Sequence, residues 1–111
     1  MLDTPPFSSI PVPSGSPQNL SYFGVGISNV RISWDLPPKN QRNGQIVQYQ
    51  VTYFKRGDQV NAVDLNTTER MIIIDSLEKN TEYAFQVKAF TSMGAGPWSK
   101  RMYFKTFGKS E

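Results

Sequence analysis

Arg56-Gly57-Asp58 sets a guanidinium and a carboxylate on either side of a glycine. On an exposed loop such a pair could span a cleft, the carboxylate reaching a metal ion, as in integrin ligands. Gly-Asp is also ordinary turn chemistry, because glycine accepts positive φ and aspartate bonds its own backbone. Asn66-Thr67-Thr68 and Asn19-Leu20-Ser21 each offer an amide with a hydroxyl two residues on, the acceptor pattern for an N-glycan. Asn66 is expected in a polar loop before a strand, and Asn19 within the first strand. Such tripeptides also arise by chance.

Other chemistry is poorly supplied. The chain has no histidine, the commonest general base and metal ligand, and no cysteine for a disulfide, thiolate nucleophile or thiolate metal site. Its nine acidic residues are scattered, so no carboxylate pair is evident. Asp35, Asp58 and Asp64 follow no calcium-loop spacing. Gly94-Ala95-Gly96 joins two strands and opens no helix, which removes a phosphate cradle. No cofactor and no catalysis are expected. The net charge of +3 is modest. Nucleic-acid binding would need basic residues interleaved with stacking aromatics in a groove, and no such cluster is present. A polyanion such as heparin could use Lys88, Lys100, Arg101 and Lys105. No apolar run is long enough to cross a bilayer. Met1-Leu2-Asp3-Thr4 begins no signal peptide, so the chain is expected to be cytosolic or a piece of a longer protein.

The positioning elements are strands. At 111 residues, with 38% hydrophobic side chains, the chain can bury one core. Pro5, Pro6, Pro11 and Pro13, with four serines, make residues 1–16 an expected extended linker, since proline fixes φ and donates nothing. Alternating runs separated by turn residues then recur every ten residues or so, the pattern of an all-β sandwich. The first is Asn19–Val25, with Leu20 and Tyr22 inward. The second is Ser28–Asp35, with Val30, Ile32 and Trp34 inward, stopped by Pro37-Pro38. The third is Gln45–Lys55, with Tyr49, Val51 and Tyr53 inward. A short edge strand is expected near Gln59–Asp64, then Glu69–Asp75, with Ile72 and Ile74 inward and Met71 and Ile73 outward. Leu77 should plug the core before Glu82–Thr91, and Gly94-Ala95-Gly96-Pro97 should reverse the chain into a last strand at Lys100–Phe107. No helical periodicity is sustained.

Alternation sends Phe54, Phe90 and Tyr103 outward on the third, sixth and seventh strands, beside Lys88 and Arg101. Aromatic and basic groups on one face make a plausible protein contact patch, with the cations at its rim. The same side chains could instead cover one another.

The chain resembles a fibronectin type III domain. The likeness spans Ser16 to Phe107. It rests on Trp34 in the second strand, Tyr49 in the third, Leu77 followed six residues later by Tyr83, and the closing Gly94, Gly96 and Ser99. It implies a seven-stranded antiparallel two-sheet sandwich over residues 17–107, with 1–16 and 108–111 as linkers. It also implies that Trp34, Tyr49, Leu77 and Tyr83 are buried, Tyr83 forming a corner whose phenol bonds upstream backbone. Asn43-Gly44-Gln45-Ile46 and Met93–Ser99 resemble repeats in ectodomains of adhesion molecules, guidance receptors and receptor tyrosine phosphatases. The integrin-binding member of the family carries its tripeptide between the last two strands, whereas Arg56-Gly57-Asp58 follows the third, so integrin is not the expected partner.

Two functions follow from the resemblance. One is a non-catalytic module of a cell-surface receptor or adhesion protein that contacts a protein ligand. The other is a spacer touching only neighbouring domains of its own chain. A cytoplasmic setting is the alternative to an extracellular one. As an isolated domain the chain is expected to be monomeric, with no nucleic-acid partner and no membrane insertion.

Overall fold

A computed structural model describes residues 12–108. Within them, β1 (Gln18–Phe23), β2 (Val30–Asp35), β3 (Gln48–Lys55), β4 (Val63–Thr67), β5 (Met71–Ile74), β6 (Glu82–Thr91), β7 (Gly94–Ala95) and β8 (Met102–Lys105) form two antiparallel sheets. The smaller sheet has the order β1-β2-β5. In the larger, β4, β3 and β6 lie side by side, and β7 and β8 both pair β6. This is the expected two-sheet sandwich.

Alternation explains what lies between the sheets. Val30, Ile32 and Trp34 from β2 meet Tyr49 and Val51 from β3 and Tyr83, Phe85, Val87 and Ala89 from β6 in one buried cluster. Each large apolar side chain removed from water contributes roughly 1.5–3 kcal/mol. The Trp34 and Tyr49 rings meet edge-on at 5.4 Å, and Tyr83 stacks on Phe104 at 5.7 Å. Leu77 and Ile74 complete the layer. On β1, Leu20 packs against the core, whereas Tyr22 is half-exposed with its ring 5.8 Å from Phe104.

Several boundaries differ from expectation. The edge strand begins at Val63, because Gln59–Asn61 forms a 3-10 turn. The reversal after β6 falls on Ser92-Met93, and Gly94-Ala95 already belongs to the returning strand. The last strand, expected at Lys100–Phe107, is the shorter β8 (Met102–Lys105), and the two-residue β7, expected to be turn, precedes it along β6. Between them Ser99 keeps the ladder closed. Its N–H donates to the Val87 carbonyl at 2.8 Å, and its Oγ accepts from the Val87 N–H at 3.0 Å.

The N-terminal boundary also moves. Val12–Ser16, expected to be linker, is packed on the domain. The Ser14 N–H donates to the Gln41 carbonyl at 2.9 Å, and Asn43 Nδ2 donates to the Val12 carbonyl at 2.9 Å. Pro13 lies so close to Gly96 that a Cβ there would sit 2.8 Å from the Pro13 carbonyl oxygen, which is why glycine is needed. The remaining linker positions, 1–11 and 109–111, lie outside the described residues.

Candidate protein-interaction surfaces

The outer face of the larger sheet carries the expected aromatics, but not as one patch. Phe54 pairs with Ala84, which pairs with Tyr103, so these two rings flank a single cross-strand row. Phe90 pairs with Gln48, six positions back along β3, or about 20 Å at strand spacing. The face therefore has two separate aromatic ends.

A cation of the same chain lies over a ring at each end, although Tyr103 stays 38% exposed and Trp98 37%. Phe54, expected to be exposed, is only 4% exposed. Ala84 beside it adds no bulk, and the Arg101 guanidinium lies 5.2 Å from its ring, held by a 2.8 Å bond from Nη2 to Gln59 Oε1. Arg56 lies 4.7 Å from the Tyr103 ring and pairs with Glu82 at 3.1 Å. At the other end Lys88 Nζ lies 5.7 Å from Phe90 and 4.4 Å from Trp98. Such cation–π contacts at exposed sites contribute about 0.5–1 kcal/mol each. Lys88 and Arg101 thus sit on the rings and not at the rim of a bare patch.

The tripeptide is engaged within the fold. Arg56 is held by Tyr103 and Glu82, as above. The Asp58 carboxylate accepts from Asn61 Nδ2 at 3.0 Å, and the Asp58 N–H donates to the Lys55 carbonyl at 2.8 Å, closing a turn. Asn19 occupies a bulge in β1 with φ of 54° and donates from Nδ2 to Asp35 Oδ2 at 2.9 Å. Asn66 lies within the exposed edge strand β4, not in a loop before a strand, and pairs with Gln50. Among the described residues no three acidic side chains are grouped to hold a metal ion. No helix among them is long and apolar enough to cross a membrane.

The smaller sheet presents what patch reasoning missed. Phe23, Arg31 and Ile73 form one cross-strand row on its outer face, and Met71 lies in the next row with Ser21 and Ser33. Phe23 is 44% exposed, Met71 44% and Ile73 55%. Arg31 leans over Phe23 at 5.4 Å and leaves Ile73 bare. The signal was legible: Met71 and Ile73 alternate outward in an unbroken apolar run. Only the pairing of β2 with β1 on one side and β5 on the other adds Phe23 to them.

Among the described residues three ionisable groups are shifted by their surroundings. Burial raises the Tyr49 and Tyr53 phenols above the usual tyrosine value. A hydrogen bond to Glu78 raises the Lys55 ammonium.

The arrangement defines a β-sandwich module with two outer sheet faces. The sequence pattern of the "Fibronectin type III domain" matches residues 15–105. The chain belongs to that family. It is 36% identical over 94 residues to "Tyrosine-protein phosphatase Lar" of Drosophila melanogaster, covering 85% of this chain and 5% of that protein. It is 38% identical over 101 residues to "Ephrin type-B receptor 5" of Gallus gallus, covering 90% of this chain and 10% of the receptor. "Neogenin" of Homo sapiens is 36% identical over 98 residues, with 86% of this chain and 7% of neogenin covered. The chain therefore spans a tenth or less of each of these relatives. Among solved structures, the third fibronectin III domain of human KIAA0343 protein superposes with a TM-score of 0.78 at 19% identity, covering 100% of this chain and 96% of that one. That likeness shows the fold. The domain is homologous to repeats of receptor proteins.

Proposed function

We propose that this chain is a non-catalytic protein-contact repeat from the extracellular part of a cell-surface receptor or adhesion protein. Its contact face is the outer face of the smaller sheet. The observation that carries this is the in-register placement of exposed Phe23, Met71 and Ile73 around Arg31. A soluble repeat gains no stability from holding large apolar side chains in water, whereas a partner surface gains by covering them. Arg31 within the patch favours a partner with an apolar surface and a carboxylate.

A spacer role has one observation in its favour. The outward rings of the larger sheet each have Arg56, Lys88 or Arg101 of the same chain over them, and such partnered rings stand in solvent at less cost than bare ones.

The test is binding of a tetramerised form of the chain to intact cells. Saturable binding that is competed by the untagged chain supports a contact repeat. Absence of binding across neural and epithelial cells supports the spacer.

A further inference from the structure

We propose that Asn66 is an N-glycan acceptor and that its glycan shields the outer face of the larger sheet. The inference rests on the extracellular placement proposed above. Asn66 and Thr68 are both exposed, and Thr68 supplies the hydroxyl two residues on that the acceptor pattern requires.

The two acceptor tripeptides are not equivalent once the chain has folded. A sugar on Asn19 would displace its amide from Asp35 in a bulge of β1, where the backbone is already in the left-handed region. A sugar on Asn66 breaks nothing. Among the described residues no hydrogen bond or ion pair engages its amide, and there β4 is a sheet edge paired only to β3.

The register places the sugar. Gln50 pairs with Asn66 on one side and Lys88 on the other, so these three side chains share one cross-strand row on the outer face. Lys88 lies two strands from Asn66, about 10 Å away. Beyond it stand Trp98 and Phe90, the more open aromatic end of this face. A bulky, hydrated glycan rooted at Asn66 covers that end. The row holding Phe54 and Tyr103 lies four positions along β3, about 13 Å away, where Arg56 and Arg101 already lie over the rings. The smaller sheet, on the other side of the sandwich, stays free for a partner.

The chemistry is group transfer from a lipid-linked oligosaccharide pyrophosphate. Asn66 Nδ2 bonds to C1 of the first sugar and gives up one proton. The C1–oxygen bond to pyrophosphate breaks, and the lipid pyrophosphate leaves with the bonding pair. Nothing is oxidised or reduced.

The test sends the full chain through the secretory pathway behind a supplied leader, in mammalian cells. Peptide N-glycosidase is then added, and the mass and the conversion of Asn66 to aspartate are read. A supplied leader makes the result independent of where the parent protein resides. That placement is tested separately, by surface labelling of the native protein. One glycan is expected, lost in Asn66→Gln and Thr68→Ala but retained in Thr68→Ser and Asn19→Gln. A chain whose mass does not shift, or one whose glycan survives Asn66→Gln, would overturn the proposal.

Discussion

The Tyr83 phenol oxygen accepts a hydrogen bond from the backbone N–H of Glu78 at 2.8 Å, while its ring stacks on Phe104 inside the sandwich. One side chain thus ties the connection between β5 and β6 to the larger sheet. Tyr83→Phe keeps the ring and removes the acceptor, leaving a partly buried N–H unpaired. The expected loss is about 1–3 kcal/mol in urea unfolding, with an unchanged slope. A midpoint equal to wild type would show that water satisfies Glu78 equally well.

Trp34 offers a cleaner separation of packing from polarity. Its indole Nε1 is buried and, among the described residues, has no hydrogen-bond partner. Trp34→Ala should cost on the order of 3–5 kcal/mol, because a large cavity opens beside Tyr49. Trp34→Phe forfeits no hydrogen bond and should cost clearly less. Equal losses in the two variants would contradict packing as the source.

Alkaline pH should weaken the fold while neutral pH should not. Tyr49 and Tyr53 are raised above 10.0 and Lys55 above 10.5 in the folded chain. The unfolded chain therefore releases these protons first. The associated stability is fully present below the ordinary values and is lost as pH rises through the raised ones. With no histidine, no side chain has an ordinary pKa between about 5 and 8. Urea midpoints at about pH 6 and about pH 8 should agree, then fall above about pH 10. A step near neutrality would contradict this.

Asp58→Glu should leave any cell adhesion unchanged. The carboxylate is turned onto Asn61, and the Arg56 guanidinium is held by Glu82 and Tyr103. Adhesion lost through this one change, and restored by integrin activation with wild-type chain, would make the tripeptide a ligand.

Period-two alternation made much of the core legible. Val30, Ile32 and Trp34 are buried because every second residue of β2 faces the other sheet, whereas the Tyr83 corner was implied by the family resemblance and not by alternation. Alternation assigns a face but not a position along it. It therefore placed Phe54 and Phe90 together when the register separates them by most of a strand. Nor does it foresee cover. Arg101 reaches Phe54 from just before β8, a contact that exists only after β3, β6 and β8 pair. Val12–Ser16 looked like linker because Pro13 cannot donate to a ladder, yet the Val12 carbonyl accepts from Asn43 and the Ser14 and Gly15 N–H groups donate to the Gln41 carbonyl.

The central claim is that the smaller sheet carries the contact face, and cell binding by face-specific variants of the tetramerised chain tests it most directly. Ile73→Asp places a charge in the exposed row with Phe23 and Arg31 without touching the core. It is predicted to weaken binding by about tenfold or more, equivalent to roughly 1.4 kcal/mol. The Phe90→Ala/Tyr103→Ala variant, altered on the opposite face, is predicted to bind as wild type. The reverse pattern, with Ile73→Asp binding fully and the double alanine variant failing despite cooperative unfolding, would contradict the claim.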